Sequence, residues 1–95
     1  SDSDYYVYIL TNWNHQVMYV GSTKDLARRL KQHRSGNGAD FTRKYKVNKL
    51  VYFEKASDMK EALRREGQLK RWRRKWKDSL VETVNPEWED LLDAA

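Results

Sequence analysis

Apolar and polar positions along this chain cluster and change period in a way that marks out its elements. Tyr5 to Leu10 is an unbroken aromatic and aliphatic run of strand-forming residues, and Val17 to Val20 returns to that character after a polar stretch from Thr11 to Gln16. The two runs are expected to pair as a hairpin, with Trp13 in a turn longer than the favoured two residues. On the first strand Tyr6 and Tyr8 share one face and Tyr5 and Val7 the other, so only some of these phenols can be buried. Tyr19-Val20-Gly21 closes the second strand at a glycine. Thr23, or Ser22 with Asp25 three residues on, then supplies the capping oxygen and first-turn acid for a helix from about Lys24 to His33 or Arg34. Leu26 and Leu30 form its apolar stripe, and Arg29 and His33, four apart, project from one flank. Ser35-Gly36-Asn37-Gly38 ends it, and a glycine-bearing loop runs on to Thr42. A third strand spans Lys49 to Ala56, after which Ser57-Asp58 caps a second helix with Glu61 available for a capping contact.

Counted at roughly 100° per residue, Met59, Ala62, Leu63 and Leu69 fall on one face of that second helix, and Glu66 lies within about 20° of Met59. A carboxylate thus sits where a leucine belongs. Burying an unpaired charge costs several kcal/mol, so Glu66 must be ion-paired, protonated or bound to a metal ion, and the two expectations are a buried pair with an arginine such as Arg29 and a role as ligand of a hard cation. Gly67 weakens the helix by about 1 kcal/mol relative to alanine, with no functional need visible. The basic run from Lys70 to Lys77 reads as helix, with Trp72 and Trp76 on one face, either packing on the sheet or open to base stacking. The helix continues through Leu80 and Val81. Asn85-Pro86-Glu87-Trp88 then reads as an N-cap and restart, giving a short acidic C-terminal helix from about 86 with Trp88, Leu91 and Leu92 as its stripe. No internal repeat, linker or low-complexity segment interrupts residues 1–95, which are expected to form one domain.

Composition narrows the partners. Ninety-five residues bury roughly 60 to 70% of their unfolded surface, enough for one small core. There is no run approaching the roughly 18 apolar residues of a membrane span, and the first residues lack a signal pattern, so a soluble cytoplasmic protein without membrane contact is expected. Without cysteine, any metal must be held by oxygen or imidazole. Residues 1 to 77 carry all 19 Lys and Arg against 8 acids, whereas residues 78 to 95 carry 6 acids and no Lys or Arg. A basic body with interleaved aromatics is the footprint of a phosphate-backbone ligand, although charge alone also serves solubility.

Tyr6-Val7-Tyr8, about ten residues, Tyr19-Val20-Gly21, then Arg29, His33 and a later helical Glu66 together resemble the GIY-YIG nuclease domain. The resemblance extends from Tyr5 to about Leu92 and is greatest to small stand-alone bacterial members, in which Arg-Glu-x-Gln-Leu-Lys-x-Trp and Asn-Pro-Glu-Trp recur in this order. It implies an α+β fold, a three-stranded antiparallel sheet flanked by helices, and a phosphodiesterase using one divalent metal, Mg2+ or Mn2+. Carried over by position, Glu66 resembles the metal-binding carboxylate, Tyr8 the phenol that helps deprotonate the attacking water, and Tyr19 the one that orients it. Arg29 resembles the group that stabilises the transition state, and His33 stands where the family places a histidine or tyrosine. Asn85 matches a structural or site-lining asparagine. Tyr6 replaces the first glycine of the family motif, Val20 replaces isoleucine, and Ser22 stands where some relatives carry a lysine near the water; Tyr6 and Ser22 are further site-lining candidates.

The chemistry suits these residue types on its own terms. Phosphodiester hydrolysis needs an activated water and neutralised phosphoryl oxygens, which an arginine and a metal ion provide. A single carboxylate suffices for Mg2+, which keeps several waters. A phenol with pKa near 10 is a poor base at neutral pH, so Tyr8 needs cationic neighbours or help from His33. The leading expectation is a metal-dependent endonuclease on single-stranded or structured DNA, with Lys24, Arg43, Lys44, Lys46, Lys70, Arg71, Arg73 and Arg74 as backbone contacts. The alternatives are a nucleic-acid-binding module with little or no turnover, and an interaction protein using the acidic tail. A monomer is assumed.

Overall fold

The computed structural model describes residues 4–34 and 44–91. The expected 35–42 loop, Arg43 and Leu92 lie outside the described residues. Within them, three strands form an antiparallel sheet: β1 (Tyr5–Thr11), β2 (Met18–Thr23) and β3 (Lys49–Ala56). Of the helices, α1 (Leu26–Arg34) lies between β2 and β3, and α2 (Met59–Arg71) and α3 (Arg74–Val84) come after β3. The strand order is β2-β1-β3, so β1 is central and β2 is an edge.

Alternation along β1 gives the sheet two covered faces. Tyr8 and Leu10 pack with Leu26 and Leu30 of α1 and with Val47 and Leu50. Val7 and Ile9 pack with Ala62 and Leu69 of α2 and Val81 of α3. A register shift pairs Ile9 with Tyr52 but Leu10 with Leu50, leaving Val51 as the extra residue of a bulge. The carbonyl of Val51 accepts a hydrogen bond from the Asn85 side-chain amide at 3.0 Å.

Several sequence expectations are corrected. β2 does not stop at Gly21 but runs on to Thr23, because that glycine is a point of close approach and not a turn. α1 begins at Leu26, capped by Asp25, whose side chain accepts from the Arg28 amide while the Thr23 hydroxyl accepts from Asp25 N–H. Ser22 plays no part in that cap. The basic helix is broken at Trp72 and Arg73, both extended in ψ. The new direction is held by Arg74, which pairs with Asp78 at 2.7 Å and donates to the carbonyls of His15 and Gln16 in the β1–β2 turn. Trp72 packs on the core and under the Arg65 guanidinium, while Trp76 meets it edge to face and stays half exposed.

No helix forms over 86–91, contrary to the expected acidic C-terminal helix from about 86. Asn85 is the C-cap of α3, not an N-cap. Its side chain donates to the Glu89 carbonyl and accepts from the Glu89 amide, and Trp88 has φ of 55°, which ends any helical continuation. Among the described residues, no helix is long and apolar enough to cross a membrane.

Candidate active site

Two neighbouring residues of edge strand β2 serve opposite faces of the sheet, and the candidate site straddles that edge. Gly21 pairs with Tyr8, and Ser22 with Val7, so Gly21 looks towards α1 and Ser22 towards α2. A Cβ on Gly21 would lie 2.6 Å from the Tyr8 hydroxyl and 2.9 Å from the Tyr19 ring. Glycine is therefore what lets the Tyr8 phenol lie across β2.

Tyr8 is almost fully buried, and its hydroxyl lies 3.2 Å from His33 Nε2 of α1. Tyr19, on the same face, completes a cluster of rings: its centroid is 6.3 Å from Tyr8 and 5.6 Å from His33. Burial pushes the Tyr8 phenol well above its ordinary pKa. The neighbouring Tyr19 adds to that rise, Arg29 opposes it and Glu66 adds to it. Burial, helped by the Arg29 charge, lowers His33 below its usual value, so its imidazole is neutral at pH 7. Arg29 itself is exposed on α1.

On the other side of β2, Glu66 of α2 is four-fifths buried and engaged at both oxygens. Oε1 accepts from the Ser22 hydroxyl at 2.5 Å, and Oε2 faces the Lys70 ammonium at 2.6 Å. The expected buried pair with Arg29 is absent; Lys70, one helical turn on, takes its place. Tyr8, Tyr19 and His33 are thus in ring contact, and Arg29 and Glu66 both act electrostatically on Tyr8. Tyr6 lines an adjoining open cleft of about 960 Å³ together with Ser22, Lys24 and Arg29.

The other expected residues are dispersed. Asn85 is buried on the α3 side, bonded to Val51 and Glu89, and makes no contact with this cluster. Of the expected backbone contacts, Lys24 lines the cleft, Lys70 is on Glu66, and Arg74 is engaged internally. Lys44 and Lys46 are exposed beyond α1, and Arg71 and Arg73 are exposed at the α2–α3 break. Sequence reasoning missed Phe53, Met59 and Leu63 as cleft residues. Met59 and Leu63 share the helical periodicity of the core residues, yet they are 55% and 53% exposed, and only Ala62 and Leu69 of that stripe reach the core.

Among the described residues no three His, Asp or Glu side chains gather as a metal cluster. Glu66 fits a site of one protein carboxylate, with water and phosphate oxygens completing the shell of a hard cation. Each of its oxygens keeps a lone pair beyond the contact already made.

The whole of this arrangement, from β1 to the start of α3, falls inside a match to the GIY-YIG catalytic domain that spans residues 4–79. The chain belongs to the GIY-YIG family. Its GIY-YIG relatives include small UPF0213 proteins of bacteria and archaea. A UPF0213 protein of Clostridium perfringens is 40% identical over 85 residues, covering 90% of each chain. One from Yersinia enterocolitica is 36% identical over 93 residues, covering 98% of this chain and 95% of its own. The solution NMR structure of a UPF0213 protein from Bacillus halodurans, 36% identical, superposes with a TM-score of 0.57 and covers 92% of both chains. That likeness agrees with the α+β architecture described above, a three-stranded antiparallel sheet with three helices.

Proposed function

We propose that this GIY-YIG chain is a divalent-metal-dependent DNA endonuclease that hydrolyses phosphodiester bonds and favours single-stranded or structured DNA. The observation that carries the reading is the Tyr8 hydroxyl set 3.2 Å from the ring of a buried His33, whose neutral form is favoured by burial and by the Arg29 charge. A phenol raised by burial does not ionise at pH 7 unaided. With its proton on Nδ1, His33 accepts the Tyr8 hydroxyl proton at Nε2 while the phenolic oxygen takes a proton from the attacking water. Tyr19 orients that water from the same face. Arg29, on the solvent side, neutralises charge on the phosphoryl oxygens as the water oxygen bonds to phosphorus and the ester oxygen leaves, taking a proton from solvent water. Glu66 holds the cation. When bound, Mg2+ or Mn2+ supplies Lewis-acid stabilisation of the phosphoryl group.

The cleft supports the preference for unpaired DNA. Tyr6 and Phe53, edge to face at 6.4 Å, give its lining an apolar set together with Met59 and Leu63. Lys24, Arg28 and Arg29 give it a basic set. Unpaired bases stack on the first while their phosphates meet the second. A panel of single-stranded, duplex, flap and hairpin DNA, incubated with Mg2+, Mn2+ or chelator, tests the reading. Cleavage is expected only with metal, is expected to be fastest on unpaired DNA, and is expected to vanish in Glu66→Ala. Metal-independent cleavage, or unaltered cleavage in Glu66→Ala, refutes the mechanism, and faster duplex cutting refutes the preference. The occupied Glu66 carboxylate favours one second reading, a binding module without turnover. Salt-sensitive DNA binding with no cutting of any substrate in the panel is its signature.

A further inference from the structure

The two partners of Glu66 differ in how firmly they are held. Ser22 sits on a strand whose register with β1 is fixed over six pairs, and its hydroxyl reaches Oε1 from a part-buried position. Lys70 comes from the next turn of the same helix, its side chain is 52% exposed, and such an i,i+4 pair is weak and screened by salt. A glutamate has three side-chain torsions to order. A cation site with one protein carboxylate has no second ligand to order them, so that task falls to whatever bonds the carboxylate itself.

We propose that Ser22 is the positioning residue of the Glu66 cation site, tying Oε1 to the edge strand so that Oε2 is kept for a divalent cation, with Lys70 as a displaceable counter-charge. The inference rests on the reading of Glu66 as the cation ligand. It also gives Ser22 a task for which an edge-strand hydroxyl is required. Threonine suits a strand and retains that hydroxyl, whereas alanine leaves Oε1 without its strand partner.

The test is Mn2+ binding to the DNA-free protein, read by electron paramagnetic resonance of the free ion, with circular dichroism confirming that each variant is folded. Ser22→Ala is expected to weaken Mn2+ binding about tenfold, as loss of a bond to a ligating carboxylate does. Ser22→Thr is expected to restore binding to near the parent value. Lys70→Gln is expected to tighten it about twofold at low salt, with the gain fading at high salt. Unchanged affinity in Ser22→Ala, a Ser22→Thr variant as weak as Ser22→Ala, or weaker binding in Lys70→Gln overturns the proposal. Glu66→Gln separates the two levels. If it binds Mn2+ like the parent, the cation assignment itself falls; if it loses binding while Ser22→Ala does not, only the positioning role falls.

Discussion

Two glycines of this chain should respond to alanine with opposite signs. At Gly21 the added methyl would sit 2.6 Å from the Tyr8 hydroxyl oxygen, 2.7 Å from the ring carbon that bears it and 2.9 Å from the Tyr19 ring. Ordinary contact begins near 3.5 Å, so relief requires a shift of almost 1 Å in a phenol that is buried and bonded to His33. Overpacking of this kind costs about 1–3 kcal/mol. The ring can escape only by leaving its rotamer or by moving off β2, and both break the contact with His33. Gly67 lies in α2, and a Cβ there would meet nothing within 4 Å. Alanine removes the helix penalty of glycine at that position, so Gly67→Ala is expected to stabilise by about 1 kcal/mol. Urea denaturation reads both. With a slope of about 2 kcal/mol per molar for a small domain, the midpoint should fall by roughly 0.5–1.5 M for Gly21→Ala and rise by roughly 0.5 M for Gly67→Ala. Gly21→Ala should also lose cleavage, whereas Gly67→Ala tests stability alone. A Gly21→Ala protein as stable and as active as the parent would refute the argument that glycine is needed for the passage of Tyr8 across the edge strand.

Three other outcomes follow from particular contacts. His33 has a folded pKa lowered from 6.5 by burial and by Arg29, so the stability from its neutral ring is fully present above 6.5 and is lost as pH falls through the lowered value. The cleavage rate should fall in the same acidic window and be flat from pH 7 to 8; an NMR titration of the ring checks the position, and a midpoint above 6.5 contradicts it. Asn85→Ala removes a buried amide bonded to Val51 and Glu89, and should cost about 2–3 kcal/mol in denaturation while leaving Mn2+ affinity unchanged. Lys24→Ala should reduce the salt slope of DNA binding by about 1, whereas Arg74→Ala, which releases the β1–β2 turn, should lower the melting temperature and leave the slope intact.

What could be read in advance depended on how local each signal was. β3 spans Lys49–Ala56 as expected, because a dense strand-forming run bounded by polar residues leaves little choice. The Asp58 cap, accepting from the Glu61 amide, is equally local. The break at Trp72 and Arg73 was not legible: nothing in Lys-Arg-Trp-Arg-Arg interrupts helical spacing, and the redirection is stabilised by contacts of Arg74 with a turn nearly sixty residues earlier. The C-terminal segment misled for a related reason, since Asn-Pro reads as a helix start while Asn85 actually closes α3 and anchors the chain to a bulge in β3. At the candidate site, the helical spacing of Arg29 and His33 was visible, but the meeting of Tyr8 with His33 and of Ser22 with Glu66 depends on tertiary register. Met59 and Leu63 show the limit of periodicity, which marks an apolar face without telling a core from a cleft wall.

The proposed activation of water by the buried Tyr8–His33 pair is read in single-turnover cleavage of a labelled single-stranded oligonucleotide with Mg2+ at pH 7.5. Tyr8→Phe keeps the ring and its packing but removes the hydroxyl, and its rate is expected to be lower by about 100- to 10,000-fold with DNA affinity retained. Cleavage by Tyr8→Phe at the parent rate would contradict it.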